Sequence, residues 1–274
     1  MNAPSYLKRD RLFVSYAGNL EDVILNRVFP QATGFFVDVG ANDPVGASNT
    51  WALYQRGWSG ITVEPTPGAC AKFAEKRPRD ICLNVAVGDR DGEISFFSFG
   101  SGAGHSTCDR ERAQALQREL GQPMTEIKVP VRTLGSILAE HAKGRDIDVV
   151  SIDAEGAEAA ILRGAQLDKF RPKLILIEAM AANVQIDVSQ EASKILERNG
   201  YVLGYEDGLN KFFVAAEREE LLSALRYPPN IFDHYITAQQ LDLQRKSRRR
   251  LRFLEIVLAA WAISVVALVL MLWR

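Results

Sequence analysis

The stretch FFVDVGAND, residues 35–43, decides the predicted fold class. An apolar, β-branched run containing Asp38 leads into Gly40 and Asn42, and a short apolar run bounded by turn residues predicts a buried strand of a parallel sheet. In open α/β sheets, ligands bind beyond the carboxyl ends of the strands, where a glycine lets the backbone approach a ligand closely. The stretch therefore predicts a binding site with Asp38, Gly40 and Asn42 at the end of the first sheet strand.

Strand-like and helical patterns alternate along the rest of the chain. Predicted strands cover residues 34–39, 60–64, 81–87, 93–99, 148–152, 174–179, 201–205 and 211–215. Predicted helices cover residues 21–29, 48–56, 67–76, 133–142, 157–164 and 190–198. This alternation predicts an α/β fold with a doubly wound, Rossmann-like sheet that is mostly parallel. The segment 201–215 is predicted to be a hairpin around EDGLN, which would place one antiparallel strand at the sheet edge.

The ends of the second and third predicted strands suggest a nucleoside site. In the run GITVEP, Glu64 ends the predicted strand, 24 residues after Gly40, and an acid placed there can accept hydrogen bonds from two vicinal ribose hydroxyls. The run LNVAVGD follows, and its backbone near Asn84 and Ala86 is predicted to reach an adenine ring. Because no G-x-G-x-x-G sequence accompanies Gly40, a diphosphate-binding dehydrogenase is disfavoured. A nucleoside ligand without phosphate fits better, and S-adenosylmethionine is the common one.

Two further strands bring carboxylates to the same predicted edge. The run IDVVSIDAEGAE places Asp153 at a strand end, Glu155 just after it and Glu158 in the first turn of the next helix. The run LILIEA ends at Glu178 and Ala179. Hard cations prefer carboxylate ligands, so Mg²⁺ bound by Asp153, Glu155 and Glu178 is kept as an alternative, although no metal site is assigned.

Six blocks of the sequence resemble the FkbM-family methyltransferases. They run in the family's order from about Ser15 to Ala215. The sequence departs from the family pattern at two positions: Gly18 stands where many members have glutamine, and Ser151 where many have lysine. The blocks are SYAGNLEDVILNRVF, GFFVDVGANDPVGASNTWALYQRGWSGITVEPTP, LNVAVGD, IDVVSIDAEGAEAAILRG, KLILIEA and DGLNKFFV.

The resemblance implies S-adenosylmethionine-dependent O-methylation, often of sugar hydroxyls in glycans, glycolipids or glycosylated metabolites. Such an enzyme must align the acceptor oxygen with the methyl group and accept the hydroxyl proton. The predicted catalytic residues are Asp153, Glu155 and His105, and His105 lies in a glycine-rich loop, GAGHSTCD, that is predicted to border the acceptor. The residues predicted to bind the cofactor are Asp38, Gly40, Asn42, Glu64, Asn84, Ala86 and Asp153.

The C-terminal end of the chain has a different composition. The run FLEIVLAAWAISVVALVLMLW, residues 253–273, holds one charged residue and is long enough to cross a bilayer as a helix. The basic run RKSRRRLR precedes it, and Lys/Arg beside a span stays in the cytoplasm and attracts anionic lipid. We therefore expect a methyltransferase domain at residues 1–235, a basic juxtamembrane segment at 236–252 and a transmembrane helix at 253–273. The protein would then be anchored in a membrane by a single C-terminal span, with its catalytic domain in the cytoplasm.

Composition narrows the remaining alternatives. The last thirty residues carry seven Lys/Arg and one acid, which leaves a net charge of −7 on the rest of the chain and argues against nucleic acid as a partner. Three cysteines in no ligand-like spacing predict no disulfide framework and fit a reducing compartment. A short-chain oxidoreductase lacks support, because the sequence has no Tyr-x-x-x-Lys pair and no glycine-rich dinucleotide-binding loop after the first predicted strand. A catalytically inactive scaffold with the same fold remains an alternative, and the oligomeric state is open.

Overall fold

The computed structural model describes residues 12–99, 106–180 and 187–273, which divide between two compact units. Of the described residues, those from 16 to 233 form the larger unit, and residues 12–15 group with residues 234–273. In chain order the strands are β1 (Phe13–Ser15), β2 (Phe35–Val39), β3 (Ser59–Val63), β4 (Ile81–Leu83), β5 (Ala86–Gly88), β6 (Gly92–Ser98), β7 (Thr125–Thr133), β8 (Val149–Ile152), β9 (Leu174–Glu178), β10 (Tyr201–Glu206), β11 (Asn210–Ala215) and β12 (Tyr235–Thr237). The helices are α1 (Glu21–Val28), α2 (Trp51–Arg56), α3 (Ala69–Lys76), α4 (Arg110–Leu120), α5 (Leu134–His141), α6 (Glu158–Arg163), α7 (Gln190–Arg198), α8 (Leu222–Leu225) and α9 (Ala238–Leu272), with short 3-10 turns at Ala216–Leu221 and Ile231–Asp233.

The larger unit is built on a seven-stranded sheet with the order β10-β11-β9-β8-β2-β3-β4. The five strands from β9 to β4 are mutually parallel, so their carboxyl ends meet at one edge. Strand β2 lies at the centre and all five of its residues are buried, as the apolar run predicts. This confirms the mostly parallel α/β fold.

The hairpin differs in one respect from the expected edge strand. Strand β11 is antiparallel to both β9 and β10, so the reversed strand lies one place in from the edge and β10 forms the edge itself. All six residues of β11 are buried, whereas β10 has exposed positions. The inner position of β11, between two neighbouring strands, accounts for the burial of all its residues.

Alternation along β2 assigns its side chains to two different cores. Phe35, Val37 and Val39 pack in one core, whereas Phe36 packs with Trp58 in the core on the opposite face. Successive side chains of a strand point to opposite faces, so Asp38 shares the face of Phe36 and not that of Val39. This alternation decides which strand-end residues reach the binding cleft.

A second, three-stranded sheet has the order β5-β7-β6, with β7 parallel to β5 and antiparallel to β6. The sequence reading joined β4 and β5 into one strand and missed both β7 and α4. The chain leaves the main sheet after Leu83 and enters the small sheet at Ala86. This sheet supplies one wall of the cleft described below.

Two expectations from the sequence are not met. Cys70 on α3 and Cys82 on β4 form a disulfide, so the expectation of no disulfide was wrong, and the inference of a reducing compartment loses its basis. Their separation of 12 residues carries no pairing signal, because they meet only where α3 packs back on β4. Within the described residues, no helix is both long and apolar enough to cross a membrane, and the span predicted at 253–273 is not confirmed.

Candidate functional site

A cleft opens at the carboxyl ends of β2, β3 and β8, and the empty space in and directly above it amounts to about 810 Å³, part of which is open solvent. Its floor and walls include residues that follow each of these strands, together with residues 85–87, Phe96 and residues 106–108 from the side of the small sheet. The described lining carries three carboxylates, Glu64, Asp153 and Glu155, and no basic side chain. The cleft is therefore acidic and suits a ligand with positive charge.

The turn after β2 can be built only around glycine. Gly40 has a φ of +80°, and a Cβ at that position would lie 1.7 Å from the backbone oxygen of Asp153. The Gly40 N–H donates to the Val63 oxygen at 2.9 Å, which ties the turn to the end of β3. Asn42 follows in the left-handed region with a φ of 46°, where asparagine is better tolerated than most residues. Both Gly40 and Asn42 line the cleft, as predicted.

Glu64 joins the ends of β2 and β3 through its carboxylate. One oxygen accepts the Asn42 N–H at 2.8 Å and the other accepts the Thr66 N–H at 2.8 Å, and the residue is 6% exposed. Each carboxylate oxygen has two acceptor positions. One position on each oxygen therefore remains for a ligand, which is the arrangement that two neighbouring ribose hydroxyls require.

Asn84 and Ala86 take different places beside this carboxylate. The Asn84 amide donates to the backbone oxygens of Glu64 at 2.7 Å and Thr66 at 2.9 Å, so it braces the loop after β3. Ala86 lines the cleft together with Val85. The backbone expected beside an adenine ring is thus at the cleft, while the Asn84 side chain is engaged in holding the loop.

Asp38 lies behind the turn, on the other face of the sheet. Its carboxylate accepts the Thr50 hydroxyl at 2.5 Å, and Thr50 in turn accepts from the fully buried Arg77 guanidinium at 2.9 Å. Burial raises the pKa of Asp38, while the charge of Arg77 opposes that rise. The Asp38 side chain is not among the described residues of the cleft lining, so its contact with a cofactor stays a prediction.

Asp153 and Glu178 form a carboxyl pair at the ends of β8 and β9. The register pairs Ile152 with Ile177, which places the two acids side by side, and a hydrogen bond joins their side chains. Asp153 is open to the cleft, yet the surrounding protein withdraws it from bulk water and, with the charge of Glu155, raises its pKa to about 7. Burial and the charge of Asp153 raise the pKa of Glu178 to about 9. Near neutral pH, Glu178 is the protonated partner that donates to Asp153.

Glu155 and Glu158 have structural contacts that the sequence does not reveal. The Glu155 carboxylate pairs with Arg112 of α4, and its backbone oxygen accepts from the same guanidinium at 3.4 Å. The Glu158 carboxylate accepts the N–H groups of Ala154 at 3.0 Å and Gly156 at 3.2 Å. Glu158 therefore shapes the loop after β8, and Glu155 presents its carboxylate at the cleft within an ion pair.

The wall from the small sheet was only partly foreseen. The glycine-rich loop was expected to border the site, and residues 106–108 do line the cleft, whereas His105 lies outside the described residues. Phe96 and Arg112 were missed. Phe96 lies in a predicted strand, but nothing in its pattern shows which face meets the cleft. Arg112 reaches Glu155 across 43 residues of sequence, a long-range pairing without a local signal.

The described residues give no support to a metal centre. No group of three or more His, Cys, Asp or Glu side chains among them is arranged to hold an ion. The lining instead combines the apolar Val63, Val85 and Ile161 with a carboxylate that has acceptor positions free for two hydroxyls. These residues fit a nucleoside with a cationic substituent, and S-adenosylmethionine has both features.

Comparison with known proteins supports the same reading. A sequence model of the methyltransferase FkbM domain matches residues 38–203. The chain belongs to the FkbM methyltransferase family. The match begins at Asp38 and extends through Glu64, Asp153 and Glu178, so it contains the whole strand-end site.

Solved structures resemble this methyltransferase more distantly. A TehB-like S-adenosylmethionine-dependent methyltransferase from Corynebacterium glutamicum is 11% identical, with a TM-score of 0.38 and coverage of 71% of this chain and 86% of that one. A putative O-methyltransferase from Klebsiella pneumoniae is 11% identical, with a TM-score of 0.37 and coverage of 73% and 81%. An O-methyltransferase from Bacillus cereus in complex with S-adenosylhomocysteine is 12% identical, with a TM-score of 0.33 and coverage of 78% and 84%. Comparison with the curated proteins gave no match.

Family membership establishes the reaction class. This FkbM-family protein is a methyltransferase, and S-adenosylmethionine is its methyl donor. The cleft at the ends of β2, β3 and β8 offers the acceptor positions and the negative charge that this cofactor needs.

Proposed function

We propose that this enzyme transfers the methyl group to a hydroxyl oxygen, and that the acceptor is a sugar. The observation that carries the proposal is Asp153, a carboxyl open to the cleft whose pKa is raised to about 7. A hydroxyl acceptor must lose its proton, and a base is most effective when its pKa lies near the working pH. Asp153 meets that requirement at neutral pH.

The chain's own residues divide the work around this carboxyl. S-adenosylmethionine, when bound, supplies an electrophilic methyl group on a sulfonium. Asp153 accepts the proton of the acceptor hydroxyl at its carboxylate. Glu178, protonated near neutral pH, donates a hydrogen bond that orients Asp153. The acidic lining favours the positive charge of the donor, and the wall of Phe96 and residues 106–108 limits access of water.

The sugar acceptor is supported by the family resemblance, whereas the acid–base requirement supports a hydroxyl acceptor in general. The direct test incubates the full-length enzyme with radiolabelled S-adenosylmethionine and a panel of glycosides, each paired with the deoxy-sugar that lacks one hydroxyl. Label transfer that disappears with a single deoxy-sugar supports the proposal and identifies the acceptor oxygen. Transfer to amines or thiols alone would contradict it. Activity that persists in EDTA would exclude the Mg²⁺ alternative.

We also propose that the C-terminal helix attaches the enzyme to the cytoplasmic face of a membrane, next to lipid-linked glycan acceptors. Large apolar side chains of α9 are exposed, with Ile256 at 67%, Leu258 at 63% and Trp261 at 66%. The preceding arginine cluster adds attraction to anionic lipid. Exposed apolar side chains beside a basic cluster support membrane contact, and contact raises the local concentration of membrane-bound acceptors.

Fractionation of full-length variants tests the attachment. Replacing Ile256, Leu258 and Trp261 together by Glu should move the enzyme from the membrane to the soluble fraction. Transfer to a water-soluble acceptor should be retained. Leu243, 58% exposed in the polar half of α9, provides the control, because Leu243→Glu should leave the distribution unchanged. Wild-type enzyme in the soluble fraction would contradict the proposal.

A further inference from the structure

We propose that Arg112 and Glu155 form a clasp that joins the two walls of the cofactor cleft and slows the exchange of the nucleoside. Glu155 belongs to the wall that follows β8, and Arg112 lies on α4, directly after the wall formed by residues 106–108. The Arg112 guanidinium contacts both the carboxylate and the backbone oxygen of Glu155. The proposal rests on the cleft holding the cofactor, and it is independent of the acceptor's identity.

The Glu155 side of the clasp is held rigidly. Glu155 has a φ of 56° and Gly156 a φ of 101°, so two successive residues adopt left-handed backbone. The buried Glu158 carboxylate fixes this loop by accepting the N–H groups of both Ala154 and Gly156. A non-glycine residue in the left-handed region costs energy and persists where its surroundings hold it. The Glu155 carboxylate is thereby directed at one position on the rim of the cleft.

The Arg112 side is equally well anchored. Thr107 exchanges two backbone hydrogen bonds with Phe97 of β6, at 2.9 and 3.1 Å. The Asp109 carboxylate caps α4 by accepting the N–H groups of Glu111 at 2.8 Å and Arg112 at 3.1 Å. The wall at residues 106–108 and the clasping arginine therefore form one hydrogen-bonded segment. A movement of Arg112 away from Glu155 would carry this wall with it.

The clasp gives a role to the Arg112 guanidinium, which contacts Glu155 of the acidic cleft lining. The Arg112 and Glu155 side chains are 24% and 20% exposed, so the pair is shielded more than a surface ion pair, and shielded pairs with charge-assisted hydrogen bonds are stronger than exposed ones. A ligand bound between the walls must wait for this pair to open. Glu155 then acts as a positioning residue that holds the wall, and the proton-accepting role falls to Asp153.

Ligand exchange rates measured on the full-length enzyme test the clasp. Stopped-flow fluorescence would give association and dissociation rates for S-adenosylhomocysteine and for 5′-methylthioadenosine, which lacks the amino-acid carboxylate. Arg112→Met and Glu155→Gln should each accelerate dissociation of both ligands by about fivefold to thirtyfold. The double variant should be no faster than either single variant, because both remove the same interaction. Arg112→Lys, which keeps the charge, should lie between wild type and Arg112→Met.

Controls separate the clasp from other roles of Arg112. Arg118 is exposed in the last turn of the same helix, and Arg118→Met should leave both rates unchanged. Acceleration confined to S-adenosylhomocysteine would overturn the proposal and show that Arg112 binds the ligand's carboxylate directly. Unchanged rates in both variants would also overturn it. Failure of the wild-type enzyme to bind either ligand would instead refute the cofactor assignment of the cleft.

Discussion

The carboxylate of Glu64 accepts the backbone N–H of Asn42 at 2.8 Å and so joins the ends of two parallel strands. Its other oxygen holds the Thr66 N–H at the same distance. A single buried carboxylate thus sets the shape of the loops after β2 and β3 and keeps one acceptor position on each oxygen for a ligand. The Glu64 carboxylate thus holds the loops after β2 and β3 in place, and it is also the group that we expect to bind the ribose.

Replacing Gly40 tests how closely β2 and β8 approach. Gly40→Ala would place a Cβ 1.7 Å from the Asp153 backbone oxygen, which cannot move without separating the strand ends. We expect the free energy of unfolding to fall by about 3 kcal/mol or more, from overpacking added to left-handed backbone strain. Urea denaturation measures it. Gly208→Ala is the matched control, because its φ is +89° with no atom within 4 Å; an equal loss in both variants would refute the steric explanation.

The pH dependence of turnover tests Asp153 as the proton acceptor. Its carboxyl is protonated below a pKa of about 7 and cannot accept a proton there, so kcat/KM should rise between about pH 6 and 8. Asp153→Asn should lower kcat by roughly 10²–10⁴-fold and abolish this rise. Binding of S-adenosylhomocysteine should change little. Asp168→Asn, at an exposed position, is the control, and an unaltered pH profile in Asp153→Asn would remove Asp153 from the chemistry.

Glu178 should make the fold less stable at alkaline pH. Its pKa is raised from 4.5 to about 9, so its contribution to stability is complete below about pH 4.5 and is lost as the pH rises through 9. Glu178→Gln keeps a donor for Asp153 and removes the ionisation. We expect this variant to be more stable than wild type at pH 9 by on the order of 2 kcal/mol, with the difference shrinking toward pH 5. Thermal unfolding of each protein across this pH range measures the difference, and Glu206→Gln, at an exposed position, is the control. If the stability of both variants followed the same pH dependence as the wild type, the raised pKa of Glu178 would be disproved.

The disulfide between Cys70 and Cys82 should stabilise the packing of α3 on β4. It closes a loop of 12 residues, and a loop of that size predicts a contribution of roughly 2–3 kcal/mol. Reduction of the wild-type protein should lower the urea midpoint of unfolding, and so should the double variant Cys70→Ala with Cys82→Ala. Cys108→Ala keeps the disulfide, so reduction should lower its urea midpoint as much as it lowers that of the wild type. Thiol titration of the native protein should detect one free cysteine, Cys108. Three reactive thiols in the purified protein would contradict the pairing.

The sequence predicted the central sheet and the strand-end acids because both depend on local pattern. The apolar runs that end at Val39, Val63 and Ile152 are short and bounded by turn residues, and each became a parallel strand. The position of Glu64 at the cleft could be predicted because Glu64 directly follows Val63, the last residue of β3, at the carboxyl end of that strand. The position of the Asp38 side chain could not be predicted: Asp38 is the last residue but one of β2, and alternation turns its carboxylate away from the face of Val39 and toward Thr50.

The missing features all depend on long-range contacts. Strand β7 contains Pro130, and a proline argues against a central strand in a sequence, yet β7 is the middle strand of the small sheet. The Arg112–Glu155 pair and the Cys70–Cys82 bond join segments that meet only in the folded chain. Such long-range contacts leave no local pattern in the sequence, so the wall of the cleft could not be predicted from it.

The most direct test of the account is calorimetric titration of S-adenosylhomocysteine into wild-type enzyme and Glu64→Gln. The wild-type protein should bind one nucleoside per chain, and loss of the charged acceptor should weaken binding by about 1.5–3 kcal/mol, which is roughly tenfold to a hundredfold in Kd. Glu93→Gln, an exposed acid on β6, should bind like wild type. Unchanged affinity in a folded Glu64→Gln variant would contradict the claim that the cleft joining β2 and β3 holds the cofactor.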